Sequence, residues 1–145
     1  MYNWFEVKAK FEKVTESGVQ KKVTESYLVD AISHTEAETR AIEELKPYIS
    51  GEFGIDTVRR VRYSETFLSD KGDRFYKVKV ALITLDERSG SEKRTPVLML
   101  AQANTVREAI DVLNDGMKGT MADYVITSVT ELPTMDIFPY QASSK

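Results

Sequence analysis

Basic and aromatic side chains recur at alternate positions in two stretches of this chain, a pattern that could bind nucleic acid. In the first stretch, Trp4, Lys8 and Lys10 alternate with apolar residues. Alternate side chains of a β-strand point to opposite faces, so these three would share the face away from the core. Aromatic rings that stack on bases, with cations beside them for phosphates, are typical of sheets that bind single-stranded nucleic acid.

The same pattern recurs further along the chain. In the second half, Phe75, Lys77 and Lys79 repeat the alternation of Trp4, Lys8 and Lys10. In the arginine-rich stretch near residue 60, Val61 and Tyr63 pointing inward would place Arg60 and Arg62 outward. The predicted nucleic-acid-binding residues are Trp4, Lys8, Lys10, Arg60, Arg62, Phe75, Lys77 and Lys79. Two other interpretations stay open. Exposed lysines also discourage aggregation of strands, and the same face could contact a protein or a small ligand, with Trp4 and Phe75 packed at a strand end or subunit contact.

The residue types needed for common catalytic centres are missing or isolated. His34 is the single histidine and the chain has no cysteine, which argues against a zinc site, a thiolate nucleophile or a Ser-His-Asp set. Residues 116–120 contain two glycines and a lysine but lack the spacing of a phosphate-binding loop. Glu43 and Glu44 read as solvated helix residues. We therefore expect no enzyme activity, no metal and no cofactor.

Composition limits the remaining classes. The chain has 145 residues, 41% hydrophobic and 30% charged, as is ordinary for a globular protein. Its formal net charge of −3 gives no general attraction to nucleic acid or to an anionic membrane. No apolar run reaches the roughly 18 residues that span a bilayer, and the start lacks the features of a signal peptide. These observations predict a cytoplasmic protein without a membrane partner.

An internal repeat predicts the architecture. Ser17-Gly18 recurs as Ser89-Gly90, and Ser33 with Glu36 recurs as Thr105 with Glu108, each about 72 residues later. Each half reads as strand, hairpin, strand, capped helix and strand, with the serine or threonine as N-cap and the glutamate closing a capping box. The first helix should end near Lys46, ahead of Pro47.

The expected fold is therefore α+β, a tandem duplicated ββαβ unit with a mainly antiparallel sheet and two helices on one face. The first repeat spans residues 1–68, the joint residues 69–73 and the second repeat residues 74–140, and the repeats form one compact domain. Residues 141–145 are expected to be a frayed tail. Whether the strands form one sheet or two is open at this point.

Two apolar segments favour a homo-oligomer. The strand at residues 97–101 is apolar on both sides, which predicts that both faces are covered. The segment at residues 133–140 is apolar and bounded by prolines. It could fold back to cover the sheet, or dock onto a second subunit.

Several motifs together resemble one protein family. They are Trp4–Lys8, the helix opening Glu36–Glu38, the stretch Gly116–Tyr124, which is the most specific, and Pro133–Asp136. The chain resembles an uncharacterised domain-of-unknown-function family of Bacteroides and their phages, over nearly its whole length. The resemblance implies a cytoplasmic bacterial or phage setting and carries over no functional residues.

The sequence thus predicts a small non-enzymatic binding or accessory protein that contacts single-stranded nucleic acid through the open sheet face. The alternative is a homo-oligomeric module that binds proteins or sequesters a ligand, for example an antagonist of host defence. The lysine alternation favours the first and the doubly apolar strand favours the second.

Overall fold

The computed structural model describes residues 3–140 and divides the chain into two compact units. Unit 1 comprises Met1–Arg62 and Pro133–Lys145, and unit 2 comprises Tyr63–Leu132. The predicted tail, residues 141–145, lies outside the described residues. Within these, no helix is long and apolar enough to cross a membrane.

The described residues form eight strands and two helices. In chain order they are β1 (Asn3–Val14), β2 (Gln20–Ala31), α1 (His34–Leu45), β3 (Phe53–Val61), β4 (Glu65–Phe67), β5 (Arg74–Leu85), β6 (Glu92–Ala103), α2 (Val106–Gly116), β7 (Asp123–Glu131) and β8 (Thr134–Phe138). The α+β class and the mainly antiparallel pairing are confirmed. The strands divide into two sheets, a point that the sequence left open.

Sheet 1, in unit 1, has the strand order β3-β1-β2-β8. Its pairs are antiparallel except for β2 with β8, which run parallel. Helix α1 packs on one face through Ala37, Ala41 and Leu45. The strand residues that meet it include Phe5 and Val7, at 2% and 0% exposure. The predicted inward positions of the first strand are therefore buried.

Sheet 2, in unit 2, has the strand order β4-β6-β5-β7, with β4 and β6 parallel and the other pairs antiparallel. Helix α2 covers one face through Ala109 and Leu113. On β6 the consecutive residues Met99, Leu100 and Ala101 are all buried, so both faces of this strand are shielded from water, as its apolar sequence predicts.

Both helices begin at the predicted caps. The Ser33 hydroxyl accepts a hydrogen bond from the Glu36 amide at 3.1 Å, and the Glu36 carboxylate accepts one from the Ile32 amide at 3.1 Å. Thr105 and Glu108 repeat the arrangement in α2. The bond to the N-cap hydroxyl satisfies an amide that a helix start leaves without a partner. The glutamate carboxylate binds the amide of the residue before the N-cap, whereas the standard capping box uses the amide of the N-cap itself.

The last strand of each half pairs outside its own half. β4 follows β3 in the chain but belongs to sheet 2, and β8 follows β7 but belongs to sheet 1. The compact units therefore divide at Arg62 and Leu132, whereas the expected repeats run over residues 1–68 and 74–140. The sequence predicts one strand after the first helix, whereas the structure has two, β3 and β4, because the chain leaves sheet 1 for sheet 2 between them. The segment at residues 133–140 folds back and adds β8 to the edge of sheet 1 beside β2, whereas the sequence predicts that it covers the sheet or docks onto a second subunit.

Candidate functional site

Three of the predicted binding residues share one face of sheet 1. Trp4, Lys8 and Lys10 alternate with the buried core residues of β1 and lie on the face away from α1, which we call the open face of sheet 1. Trp4 and Lys8 are half-buried and Lys10 is exposed. The Lys10 ammonium pairs with the Asp56 carboxylate at 3.2 Å, so part of its charge is already neutralised.

The two arginines of the predicted set do not join this face. In the β1·β3 register Arg60 lies opposite Phe5, which places it on the α1 side, and its guanidinium donates to the Asn3 side-chain oxygen at 2.8 Å. Arg59 instead lies on the open face, paired with Glu6 at 3.1 Å. Val61, expected on the inner face from the sequence, lies opposite Trp4 and therefore on the open face. The expected alternation is thus wrong by one residue, and an error of one residue exchanges the two faces of a strand. Arg62 is exposed beyond the end of β3.

Sheet 2 places Lys77 and Lys79 on the face away from α2, with Lys79 exposed and Lys77 half-buried. Phe75 shares their alternation but is only 2% exposed. It is therefore not the accessible stacking platform that the sequence suggested. Removing such a ring from water is worth about 1.5–3 kcal/mol, which favours burial over display.

Three of these lysines have no acidic partner within the part of the chain that the structure describes. None of the ion pairs in residues 3–140 involves Lys8, Lys77 or Lys79. Two of them lie on β5, on the same side of one strand. These three lysines are therefore the part of the predicted basic surface that the structure retains.

A groove in unit 1 was not anticipated from the sequence. It lies between the end of the β1-β2 hairpin and the loop that joins α1 to β3, with a volume of about 1210 Å³. Its apolar lining includes Phe11 and Val23, which face each other across β1 and β2, together with Ile49 and Phe53. Tyr48 in the loop is 83% exposed.

Local sequence explains why this loop stays open. Helix α1 stops at Leu45 because Pro47 provides no amide for a further turn. The chain then reverses at Gly51, whose φ of +84° suits a residue without a Cβ. A tyrosine in the short loop between Pro47 and Gly51 is a sequence signal that could have indicated the groove.

The charges around the groove are mixed. Lys10, Lys13 and Lys22 line it together with Glu12 and Glu52. Lys13 pairs with Glu25 at 3.2 Å and its ammonium lies 6.0 Å from the centre of the Phe11 ring. With Lys10 paired to Asp56, two of the three lysines already have carboxylate partners. A polyanion would gain little electrostatic attraction in this groove, whereas an apolar segment could pack against the apolar lining.

Several titratable groups lie away from the groove. His34 stands exposed at the start of α1 with its ring 4.8 Å from that of Phe5. The residues that the structure describes contain no cluster of three or more metal-ligating side chains. Burial raises the pKa of Asp30 above its ordinary value, although a hydrogen bond to the Tyr140 backbone and the charge of Arg40 oppose the shift. Burial and a hydrogen bond to Glu25 raise the pKa of the Tyr27 hydroxyl.

Fold and site together define an α+β protein of two sheet-and-helix units with an open groove in unit 1. The chain belongs to the family described as Domain of unknown function (DUF4494), whose model matches residues 3–140. No curated protein and no solved structure matches the chain.

Proposed function

We propose that this protein is a non-enzymatic binding module whose unit 1 groove holds an extended apolar segment of a partner protein. The observation that carries the proposal is the uncovered apolar surface formed by Phe11, Val23, Phe53 and Tyr48. Patches of this kind, bordered by polar residues, are typical of interaction sites. The resemblance to a family of Bacteroides and their phages supports a cytoplasmic bacterial or phage setting, in which the partner could belong to host defence.

The size of the groove favours an extended ligand. Small-molecule pockets are usually about 300–1,000 Å³ and bury most of their ligand. This groove, at about 1210 Å³, is larger and lies open along the hairpin end. An extended peptide could lay alternate side chains against Phe11 and Phe53 while its backbone stays near the polar rim.

The test selects peptides from a displayed random library on the intact protein. Enriched peptides should be rich in aliphatic and aromatic residues, because the groove lining is apolar. Tyr48→Ala should weaken their binding about tenfold, equal to ~1.4 kcal/mol, as expected for an exposed aromatic anchor. The matched control is Met121→Ala, which truncates a fully exposed side chain in the loop after α2 of unit 2.

Two outcomes would count against the proposal. One is the absence of any enriched peptide that binds the purified protein. The other is equal affinity of the enriched peptides for wild type and Tyr48→Ala. Circular dichroism of both variants checks that neither change has disturbed the fold.

A second candidate function is contact with single-stranded nucleic acid. It is favoured by Lys77 and Lys79, which lie on the same side of β5 and take part in none of the ion pairs among residues 3–140. Backbone phosphates would replace the counterions of these ammonium groups. We rank it second because Phe75 is buried and Arg60 lies on the α1 side of sheet 1.

A further inference from the structure

The edge of sheet 1 beside β2 is filled by a strand that arrives from elsewhere in the chain. β8 pairs in parallel with β2, and Thr134 is 8% exposed in that position. The Phe138 ring stacks on Tyr27 with centroids 5.6 Å apart and planes inclined by 12°. Phe138 also packs against both core clusters of unit 1. β8 is therefore part of the core and not an optional appendage.

The α1 helix holds the end of the same strand. Arg40 donates hydrogen bonds to the carbonyl oxygens of Asp30, Phe138 and Pro139, the last at 3.1 Å. Its guanidinium also lies 5.7 Å from the centre of the Tyr140 ring. The seat of β8, defined by Tyr27, Arg40 and the β2 edge, thus recognises both the side chains and the backbone of this segment.

The connector that delivers β8 is very short. β7 ends at Glu131 and β8 begins at Thr134, so only Leu132 and Pro133 lie between them. The Leu132 amide donates to the Phe75 carbonyl oxygen at 2.8 Å, which ties that residue to unit 2. Pro133 has a fixed φ and offers little freedom to bend. Short, stiff connectors of this kind favour exchange of the following element between copies.

We propose that the seat of β8 also accepts β8 from a second copy of this chain, giving a strand-exchanged dimer. The contacts made by Phe138 and Arg40 are identical in the closed monomer and in the exchanged dimer. The balance therefore depends on the connector and on protein concentration, because the local concentration of a tethered strand competes with that of free chains. A second copy is the occupant since it presents the sequence that this seat binds.

The exchange goes beyond the proposed peptide binding and does not depend on it. The seat uses residues 26–29 of β2, whereas the groove is lined by residues 20 and 22–24 of that strand. A dimer formed in this way would carry two grooves, and a partner with two segments would bind it more tightly than a monomer.

Cysteine pairing tests the proposal directly, because the chain has no cysteine of its own. Ser26 and Thr134 are Cα partners across β2 and β8, and neighbouring strands lie within the range that a disulfide spans. In the described part of the chain the Ser26 hydroxyl is buried without a hydrogen-bond partner, so Ser26→Cys removes no such bond. Chains with Ser26→Cys alone and Thr134→Cys alone are unfolded together, refolded at high concentration and oxidised.

We expect a covalent dimer of the two different chains, at a yield at least several-fold above that of either chain alone. Mixing Thr134→Cys with Thr39→Cys, an exposed position on α1, measures chance cross-linking. The doubly substituted chain reports whether the two positions can form a disulfide, since it should close within one molecule at low concentration.

Light scattering of cysteine-free chains gives a second measurement. Inserting a flexible Gly-Ser segment after Leu132 should reduce the dimer fraction several-fold, and deleting Pro133 should raise it. The proposal is overturned if the mixed chains remain uncoupled while the double variant closes internally. It is equally overturned if wild type and the Pro133 deletion are both monomeric at high micromolar concentration.

Discussion

The Arg40 guanidinium lies 3.1 Å from the carbonyl oxygen of Pro139, a residue 99 positions later in the chain. This bond connects α1 to the segment that completes sheet 1. A hydrogen bond with a charged donor contributes more than one between neutral groups. Arg40 therefore links α1 to the last strand of sheet 1.

Arg40→Leu should therefore lower the free energy of unfolding by about 1.5–3 kcal/mol, because the carbonyl oxygens lose a charged donor. Urea denaturation measures the change, and hydrogen exchange of the β8 amides should accelerate more than that of β1. The matched control is Arg107→Leu, an exposed arginine of α2, which should change stability by no more than about 0.5 kcal/mol. Equal effects of the two substitutions would show that Arg40 does not hold the strand.

Two glycines provide a paired prediction on stability. A Cβ at Gly72 would lie 2.6 Å from the Ala103 backbone nitrogen, a distance that only backbone movement can relieve. Gly72→Ala should destabilise by about 1–3 kcal/mol, as overpacking does. A Cβ at Gly54 would meet no atom within 4 Å, and its φ is not positive. Gly54→Ala should be neutral or stabilise by up to about 1 kcal/mol. Thermal and urea unfolding of the two variants distinguish these outcomes.

Local signals in the sequence were sufficient for the helices and their caps. Ser33 and Thr105 each accept the bond that their spacing to a glutamate predicts, because a capping box involves only neighbouring residues. Gly18 and Gly90 both adopt positive φ in the hairpin turns. β1, β2, β5 and β6 are each 12 residues long, as a repeat would require, and the duplication itself stays a prediction.

Long-range pairing could not be read from the same patterns. Alternation alone does not fix the face of Arg60, because Val58 and Val61 are both apolar and, being three positions apart, lie on opposite faces of the strand. Pairing with β1 places Val58 opposite the buried Val7, and Arg60 therefore lies on the same side. Phe75 alternates like an exposed residue yet is buried, and three-residue β4 is too short to show a period. The groove went unnoticed because Phe11 and Phe53 meet only through the fold.

The Tyr27 hydroxyl predicts a dependence of stability on alkaline pH. Burial and the bond to the Glu25 carboxylate, 3.0 Å long, raise the pKa of Tyr27 in the folded state. The stabilisation of the neutral form is complete below the unfolded pKa of about 10 and is lost as pH rises beyond it. The stability advantage of wild type over Tyr27→Phe should therefore shrink above about pH 10. Urea unfolding across that range measures it, and a constant difference would contradict the assignment.

The last prediction concerns Lys77 and Lys79 of sheet 2. If β5 contacts single-stranded nucleic acid, Lys77→Glu with Lys79→Glu should reduce affinity for labelled oligothymidylate and make the remaining binding less dependent on salt, because fewer counterions are released. The control is Arg88→Glu with Lys93→Glu, which changes net charge equally at the exposed β5-β6 hairpin. Fluorescence anisotropy at several salt concentrations compares the three proteins. Equal losses in both double variants would indicate a general charge effect. No binding by wild type at tens of micromolar protein would remove nucleic acid from the candidates and leave the groove of unit 1 as the site to pursue.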